Sequence, residues 1–279
     1  MTAIASLPFE DYTELRGIHA TALKDLLVSP LLYKYRRDHP RQDKDAFRVG
    51  RACHTAMLEP DRFPLEYSVW RKKQGIRRGR KWEAFCTANE GRTILTEAQY
   101  DTAIALRDSA RSHAVASQLL AGPGRNELTV KWKHPRTGRD CVSRLDRLTK
   151  ALVDVKTARD VSPRRFCADA AKFGYAMQLA FYADAVAVAF GETPPVKLLV
   201  GQNAAPFDVA VYDVPEDVLS FGRKQYEDAL DLLAKCEESD KWPGQAPDEE
   251  VTLKLPLWAA PDFDEGGPDE AAPIGDADF

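Results

Sequence analysis

An aspartate and a lysine two residues apart on an apolar run are the residues best placed to do chemistry in this chain: Asp154 and Lys156 in Leu152-Val-Asp-Val-Lys-Thr157. If that run is a strand, both side chains lie on one face, and Val153 and Val155 enter the core on the other. A carboxylate held among Leu and Val is costly unless something compensates it. A divalent cation is the natural compensator, because hard cations take carboxylate oxygens. A lysine beside such a cation can hold and activate a water, which completes a minimal kit for metal-dependent phosphodiester hydrolysis. An Asp-x-Lys pair is also often a solvated ion pair worth little, so its neighbourhood has to decide.

Four features fall into line with the pair. Asp146, in Ser143-Arg-Leu-Asp-Arg147, precedes Asp154 by eight residues, although Arg144 and Arg147 could simply pair with it. Glu127 opens the same stretch of strands. Gln178 and Tyr182 are four apart on the helix that follows and so share a face. Gly50-Arg-Ala-Cys-His54 puts a glycine and a histidine four apart on an N-terminal helix. A histidine on an apolar helix is ordinarily a hydrogen-bonded core residue, and His54 taken alone fits that description.

The elements that must position these residues follow from periodicity and punctuation. Residues 19–38 read as two short helices broken at Ser29-Pro30, and Asp43 to Leu58 as a third helix stopped by Glu59-Pro60. Residues 66–70 read as a short strand, Thr96 as the N-cap of a helix through Arg111, and Val115–Leu120 as another short helix. Glu127–Lys133, Arg139–Leu148 and Ala151–Lys156 then read as three strands joined by short turns, one of them Pro135-Arg-Thr-Gly138. Helices over Pro163–Phe173 and Tyr175–Phe190, strands over Val196–Val200 and Asp208–Val214, and a helix over Pro215–Cys236 complete the order. This implies an α/β fold with a mixed central β-sheet flanked by helices and an N-terminal helical part. Residues 1–258 are expected to form a single domain, with a helical part over 1–122 and the core over 123–258.

Composition narrows the function classes. No apolar run reaches membrane-spanning length, and the N-terminus lacks the pattern of a signal peptide. Five scattered cysteines (Cys53, Cys86, Cys141, Cys167, Cys236) without a Cys-x-x-Cys pair fit a reduced cytoplasmic setting, and no iron–sulfur cluster is expected. The formal charge of −4 hides an asymmetry, because residues 259–279 hold seven acidic residues and no basic ones, which leaves +3 for the rest. The acidic tail is expected to be disordered. Its terminal Phe279 resembles the acidic tip by which single-strand-binding proteins dock on repair enzymes. Between Trp70 and Trp82, the run Arg71-Lys-Lys-Gln-Gly-Ile-Arg-Arg-Gly-Arg-Lys81 holds seven basic residues in eleven. That density reads as an arm that tracks phosphates, carried by Arg71, Lys72, Lys73, Arg77, Arg78, Arg80 and Lys81. The flanking tryptophans read as core anchors.

In order and spacing these stretches resemble the PD-(D/E)XK nucleases, and within them the phage and prophage exonuclease VIII (RecE-type) group. The matching stretches are Gly17-Ile-His-Ala-Thr-Ala-Leu-Lys24, Ser29-Pro30, Gly50-Arg-Ala-Cys-His-Thr-Ala-Met-Leu-Glu-Pro60, Arg144-Leu-Asp146, Val153-Asp-Val-Lys-Thr157, Gly174-Tyr-Ala-Met-Gln-Leu-Ala-Phe-Tyr182 and Trp242-Pro-Gly244. The motif aspartate stands in Arg-Leu-Asp rather than Pro-Asp. The resemblance implies Asp146 and Asp154 as main metal ligands, aided by His54, the Val155 carbonyl and, through a metal-bound water, Glu127. It implies Lys156 as the group that orients water and stabilises charge, Gln178 as the positioner of Lys156 or of the scissile phosphate, and Tyr182 as support for the DNA backbone. Arg51 and Arg144 join the arm as expected DNA contacts. The implied activity is Mg2+-dependent hydrolysis of duplex DNA, with Mn2+ able to substitute, by a 5′-to-3′ exonuclease that leaves 3′ single strands for an annealing protein. A homo-oligomeric ring around DNA is the implied assembly, and no membrane is involved. Three other readings stay open: an endonuclease or structure-specific nuclease of the same superfamily, a DNA-binding protein without activity on this fold, and an unrelated carboxylate-using metal phosphatase.

Overall fold

The computed structural model describes residues 3–7, 9–39 and 45–254. Met1–Gln245 form one compact unit. The described residues beyond it, 246–254, are exposed and carry no helix or strand, and the acidic segment 259–279 lies outside the described residues.

Short elements come first: β1 (Ala3–Ser6), α1 (Phe9–Thr13) and β2 (Ile18–His19). The helix pair α2 (Ala20–Val28) and α3 (Pro30–Asp38) breaks where Ser29-Pro30 predicts. The Ser29 hydroxyl accepts from the Leu32 N–H at 3.1 Å, and Pro30 takes the first helical position, where it has no intrahelical donor to lose. Next come α4 (Asp45–Leu58), α5 (Phe63–Glu66), β3 (Tyr67–Trp70), α6 (Arg80–Ala88) and β4 (Thr93–Thr96). The predicted start of α4 at Asp43 lies outside the described residues. Thr96 caps α7 (Glu97–Ser112) reciprocally: its hydroxyl accepts from Gln99 N–H at 3.2 Å, and its own N–H donates to the Gln99 side chain at 2.9 Å. The N-terminal part ends with α8 (Ala114–Leu120).

The predicted meander is present as β5 (Arg125–Lys133), β6 (Asp140–Leu148) and β7 (Leu152–Ala158). A crossover of α9 (Pro163–Lys172) and α10 (Tyr175–Phe190) then leads to β8 (Val196–Gln202), which pairs parallel to β7. An antiparallel β9 (Val209–Val214) and the long α11 (Glu216–Ser239) close the unit. The sheet order is β1-β5-β6-β7-β8-β9, with β2 paired in parallel to β6. The architecture is therefore the expected mixed sheet flanked by helices. The N-terminal part is not purely helical, however, because β1 and β2 join the central sheet and β3 and β4 form a sheet of their own.

Two cores lie on the two faces of the sheet. Leu152, Leu198 and Val200 pack with α10 and α11, while Val153, Val155 and Leu199 pack with α4 and α7. Both faces of β7 are thus covered, which explains a near-continuous apolar run interrupted only by Asp154 and Lys156. The C-terminal stretch of the unit ties back to α3: Trp242 stacks on Tyr33 at 5.9 Å, and the Pro243 carbonyl accepts from Leu31 N–H at 3.0 Å. No single helix among the described residues is long and apolar enough to cross a membrane.

One close contact limits the spacing of α10 and α11. A Cβ placed on Gly222 of α11 would sit 2.0 Å from the Ala176 carbonyl oxygen of α10, so the two backbones touch there. Gly222→Ala should push the helices apart at a cost of about 2 kcal/mol or more. Thermal unfolding is expected to show a clear drop in Tm, and an unchanged Tm would mean that α11 does not pin α10.

Candidate functional site

The site is built where regular pairing fails. Strands β6 and β7 pair only at Arg147↔Val153 and Leu148↔Leu152 and then fork. The same register carried one residue further would set Asp146 opposite Asp154. Instead, Asp146 Oδ2 accepts the Val155 N–H at 2.7 Å, so a side chain satisfies a main-chain donor released by the fork. On the other side, Asn126↔Arg147 and Leu128↔Leu145 pair while Glu127, between them, does not. Glu127 has φ 49, a left-handed conformation uncommon for a residue with a side chain and costly to hold. Glu127, Asp146 and Asp154 thus occupy one row across three strands.

Helix α4 lays His54 over this row. His54 Nδ1 lies 3.7 Å from Asp146 Oδ2, and the ring hydrogen-bonds the Val155 backbone. His54, Glu127 and Asp146 each offer a ligand atom, all within 4.8 Å of one another. Asp154 is 1% exposed. Its Oδ2 pairs with Lys156 Nζ, and its Oδ1 is buried without a hydrogen-bond partner. A buried carboxylate oxygen in that state is costly and calls for a cation.

The electrostatics agree with the geometry. Burial, then the neighbouring Asp154 carboxylate, pushes the Asp146 carboxyl up to about 7. Burial and Asp146 also raise Glu127. Burial lowers His54, which favours the neutral imidazole that metals bind. Burial alone would lower Lys156, but Asp154 and Asp146 outweigh it and the ammonium is held above its ordinary range. Two carboxylates, a neutral imidazole and the nearby Val155 carbonyl, with a third carboxylate oxygen unsatisfied beside them, fit a divalent cation such as Mg2+ or Mn2+.

Behind Lys156 stands a polar chain that sequence reading only half anticipates. Gln178 Nε2 donates to the Tyr182 hydroxyl at 3.0 Å, as expected from their shared helix face. The Gln178 carbonyl oxygen accepts from Lys24 Nζ of α2 at 2.9 Å. The Lys24 and Lys156 ammonium groups each lie 5.2 Å from the centroid of the Tyr175 ring. Tyr182 is buried and reaches the site through Gln178. Lys24 and Tyr175 are neighbours of the candidate site that sequence analysis does not single out. The only signal for them was their place inside the stretches that resemble the nuclease group.

The expected DNA contacts divide. Arg144 donates to Glu127 at 2.6 Å and to the Leu7 carbonyl at 2.8 Å, so it holds Glu127 in place instead of facing solvent. Arg51 lies over the Phe9 ring, and Arg71 pairs with Glu97 at 3.1 Å. Lys72, Lys73, Arg77, Arg78, Arg80 and Lys81 are exposed. Their segment is anchored at its base, where the Trp70 indole donates to the Gly75 carbonyl at 2.7 Å and packs edge-on against Trp82 and Phe85. Trp70 is buried, as expected of a core anchor, whereas Trp82 is half-buried beneath Arg77, and Arg80 and Lys81 already belong to α6.

A forked mixed sheet with Asp-x-Lys on one strand, an aspartate on the next and a histidine laid across them defines a PD-(D/E)XK-like core. The chain belongs to the family described as PDDEXK-like domain of unknown function (DUF3799), whose model matches residues 20–252. In fold it is similar to the crystal structure of a candidate exonuclease from Eubacterium rectale, with a TM-score of 0.61 and 14% identity, over 91% of this chain and 96% of that one. No curated protein matches the chain significantly.

The raised Asp146 carboxyl has a consequence for stability. Between the unfolded value near 4 and the folded value of about 7, the folded state holds a proton that the unfolded state has lost. Metal-free protein should therefore lose stability as pH rises through that window. Asp146→Asn should flatten the slope, and added Mg2+ or Mn2+ should raise the wild-type Tm most at the upper end. Denaturation followed across pH with EDTA and with metal checks the sign. His54, lowered by burial, acts in the opposite sense, so the difference between wild type and Asp146→Asn carries the test, and a slope in EDTA that Asp146→Asn leaves unchanged would contradict this site.

Proposed function

We propose that this protein is a divalent-metal-dependent deoxyribonuclease, and more finely a 5′-to-3′ exonuclease of RecE type that acts on linear duplex DNA. The observation that carries the reading is the His54, Glu127 and Asp146 cluster beside a buried Asp154 oxygen without a partner and a charged Lys156. The family membership and the fold of the Eubacterium rectale relative support the nuclease class.

A divalent ion bound there would supply charge neutralisation at the scissile phosphate and Lewis acidity toward the attacking water. The remaining steps belong to the chain. Asp146, His54 and Glu127 would hold the ion, with Arg144 fixing Glu127 from behind. Lys156, held charged by Asp154, orients the attacking water and meets the charge that develops on the phosphate. Gln178, fixed by Lys24 at one end of its amide and Tyr182 at the other, sets the far wall. The exposed cations from Lys72 to Lys81 fit a role in tracking the phosphate backbone. In this reading the product is a 3′ single strand passed to an annealing protein of a phage or prophage recombination system. A homo-oligomeric ring would keep the enzyme on its strand.

Linear duplex DNA labelled separately at its 5′ and 3′ ends tests the proposal with Mg2+, with EDTA and with Lys156→Ala. The expected result is metal-dependent release of mononucleotides from the 5′ end, reduced by at least about 100-fold in Lys156→Ala. Equal cutting of circular duplex would keep the active site and overturn the exonuclease. DNA binding without hydrolysis in Mg2+ or Mn2+ would overturn the nuclease.

A further inference from the structure

A cleft of about 600 Å³ opens beside Lys156, and its lining differs in kind from the metal cluster and the basic segment. Thr157, the residue after Lys156, forms part of its floor, and Tyr175, whose ring lies 5.2 Å from Lys156 Nζ, forms the shared wall. Gly50, one turn before His54 on α4, lines the same cleft, and a Cβ there would meet nothing within 4 Å. The cleft therefore borders the site through Tyr175, and its Gly50 lies one turn from His54. Among the described residues none that line it is charged. Its rim carries Phe47 and Phe173, which are 45% and 49% exposed, and its lining includes Asn203 and Gln99, whose Oε1 is engaged by the Thr96 N–H while its Nε2 remains to donate.

Such a lining does not suit a phosphate, which needs cations or aimed N–H groups. It suits a nucleobase: aromatic faces to stack on, amides to meet the base edges, and charge only outside. The charge outside is present. Lys172 precedes Phe173 in the chain, is exposed and lies 5.8 Å from that ring, and Arg48, which pairs with Asp45, follows Phe47. Gly174 has φ 62, and this left-handed turn lets the chain reverse between Phe173 on the rim and Tyr175 in the wall.

We infer that this cleft binds an unpaired base of the substrate strand, next to the phosphate presented to Lys156. The inference rests on the nuclease reading for the identity of the strand and adds the state in which it is engaged. A paired base is stacked on both faces and cannot enter, so the strand at the site is single, either frayed from a duplex end or already unpaired. Phe47 and Phe173 are the stacking surfaces, and Asn203 and the Gln99 Nε2 the edge contacts.

Binding in EDTA tests this without hydrolysis. The probes are a fluorescently labelled single-stranded oligodeoxynucleotide and the same backbone with abasic residues in place of nucleotides. The full-length wild-type protein should bind the normal strand on the order of 10-fold more tightly than the abasic one. The Phe47→Ala/Phe173→Ala protein, checked for an unchanged Tm, should bind both with the same reduced affinity, and Phe47→Tyr/Phe173→Tyr should restore the preference. Equal binding of normal and abasic strands by the wild type would overturn the inference, and so would a preference that survives in the double alanine protein. A base preference without any hydrolysis in Mg2+ would overturn the nuclease and leave the cleft assignment standing. Hydrolysis without a base preference would do the reverse.

Discussion

Gathering carboxylates where water is scarce is the constraint on which the rest of this structure depends. Glu127, Asp146 and Asp154 lie in one row across β5, β6 and β7, and burial penalises the ionised form of Glu127 and of Asp146. Every feature around them supplies positive charge, a donor or room for a cation. Lys156 pairs with Asp154, Arg144 with Glu127, and the Val155 N–H with Asp146. The sheet itself gives way: β6 and β7 part after two pairs, and Glu127 leaves the ladder with a left-handed backbone. A sheet kept in regular register would spend those main-chain groups on each other and leave no pocket. Strained backbone of this kind persists where surrounding structure over-determines it, and here Arg144 and the flanking Asn126 and Leu128 pairs do so.

The helices transmit this constraint outward. His54 reaches the row because α4 packs on the Val153 and Val155 face, while Gln178 and Tyr182 stand on α10 across the opposite face. The site is therefore clamped between helices that belong to two different cores. The spacing of α10 and α11 is limited by the backbone contact at Gly222, and the Gln178 amide is fixed by Lys24 of α2. Long-range contacts of this sort make the geometry depend on the whole unit, although the chemistry sits on a few residues of β6 and β7.

Much of this was legible in the sequence, and for a definable reason. Alternation on β7 separates Asp154 and Lys156 from Val153 and Val155, and a period of two is a local property that survives burial on both faces. The break at Ser29-Pro30 and the cap at Thr96 are likewise local, one set by a fixed φ and both by a side-chain acceptor. What was not legible is what depends on partners. Strands β1 and β2 are too short to announce themselves and exist only because β5 and β6 offer them an edge. Arg144 looks like any exposed arginine until the register shows that Glu127 lies beside it. Lys24 meets Gln178 across 154 residues, and no spacing rule connects them. The segment from Arg71 to Lys81 reads as a free arm from its charge alone, whereas Trp70, Trp82 and Phe85 give it an anchored base.

The electrostatics also divide the work within the site. A lysine could serve as a proton acceptor only if its ammonium were driven well below its ordinary range. Burial acts in that direction on Lys156, but Asp154 and Asp146 act against it and win, so the group stays charged. Its chemistry is then confined to orienting a water and opposing negative charge. Proton acceptance must fall to an oxygen of the cluster or to bulk solvent. Asp146 is suited to a graded response, since its carboxyl sits at about 7 before any cation is bound. A cation that displaces this proton lowers the net negative charge facing Lys156 in the same event. The lysine and the cation are therefore not independent: each weakens the need of the carboxylates for the other, and Asp154, with one oxygen on the lysine and the other unclaimed, is where the two meet.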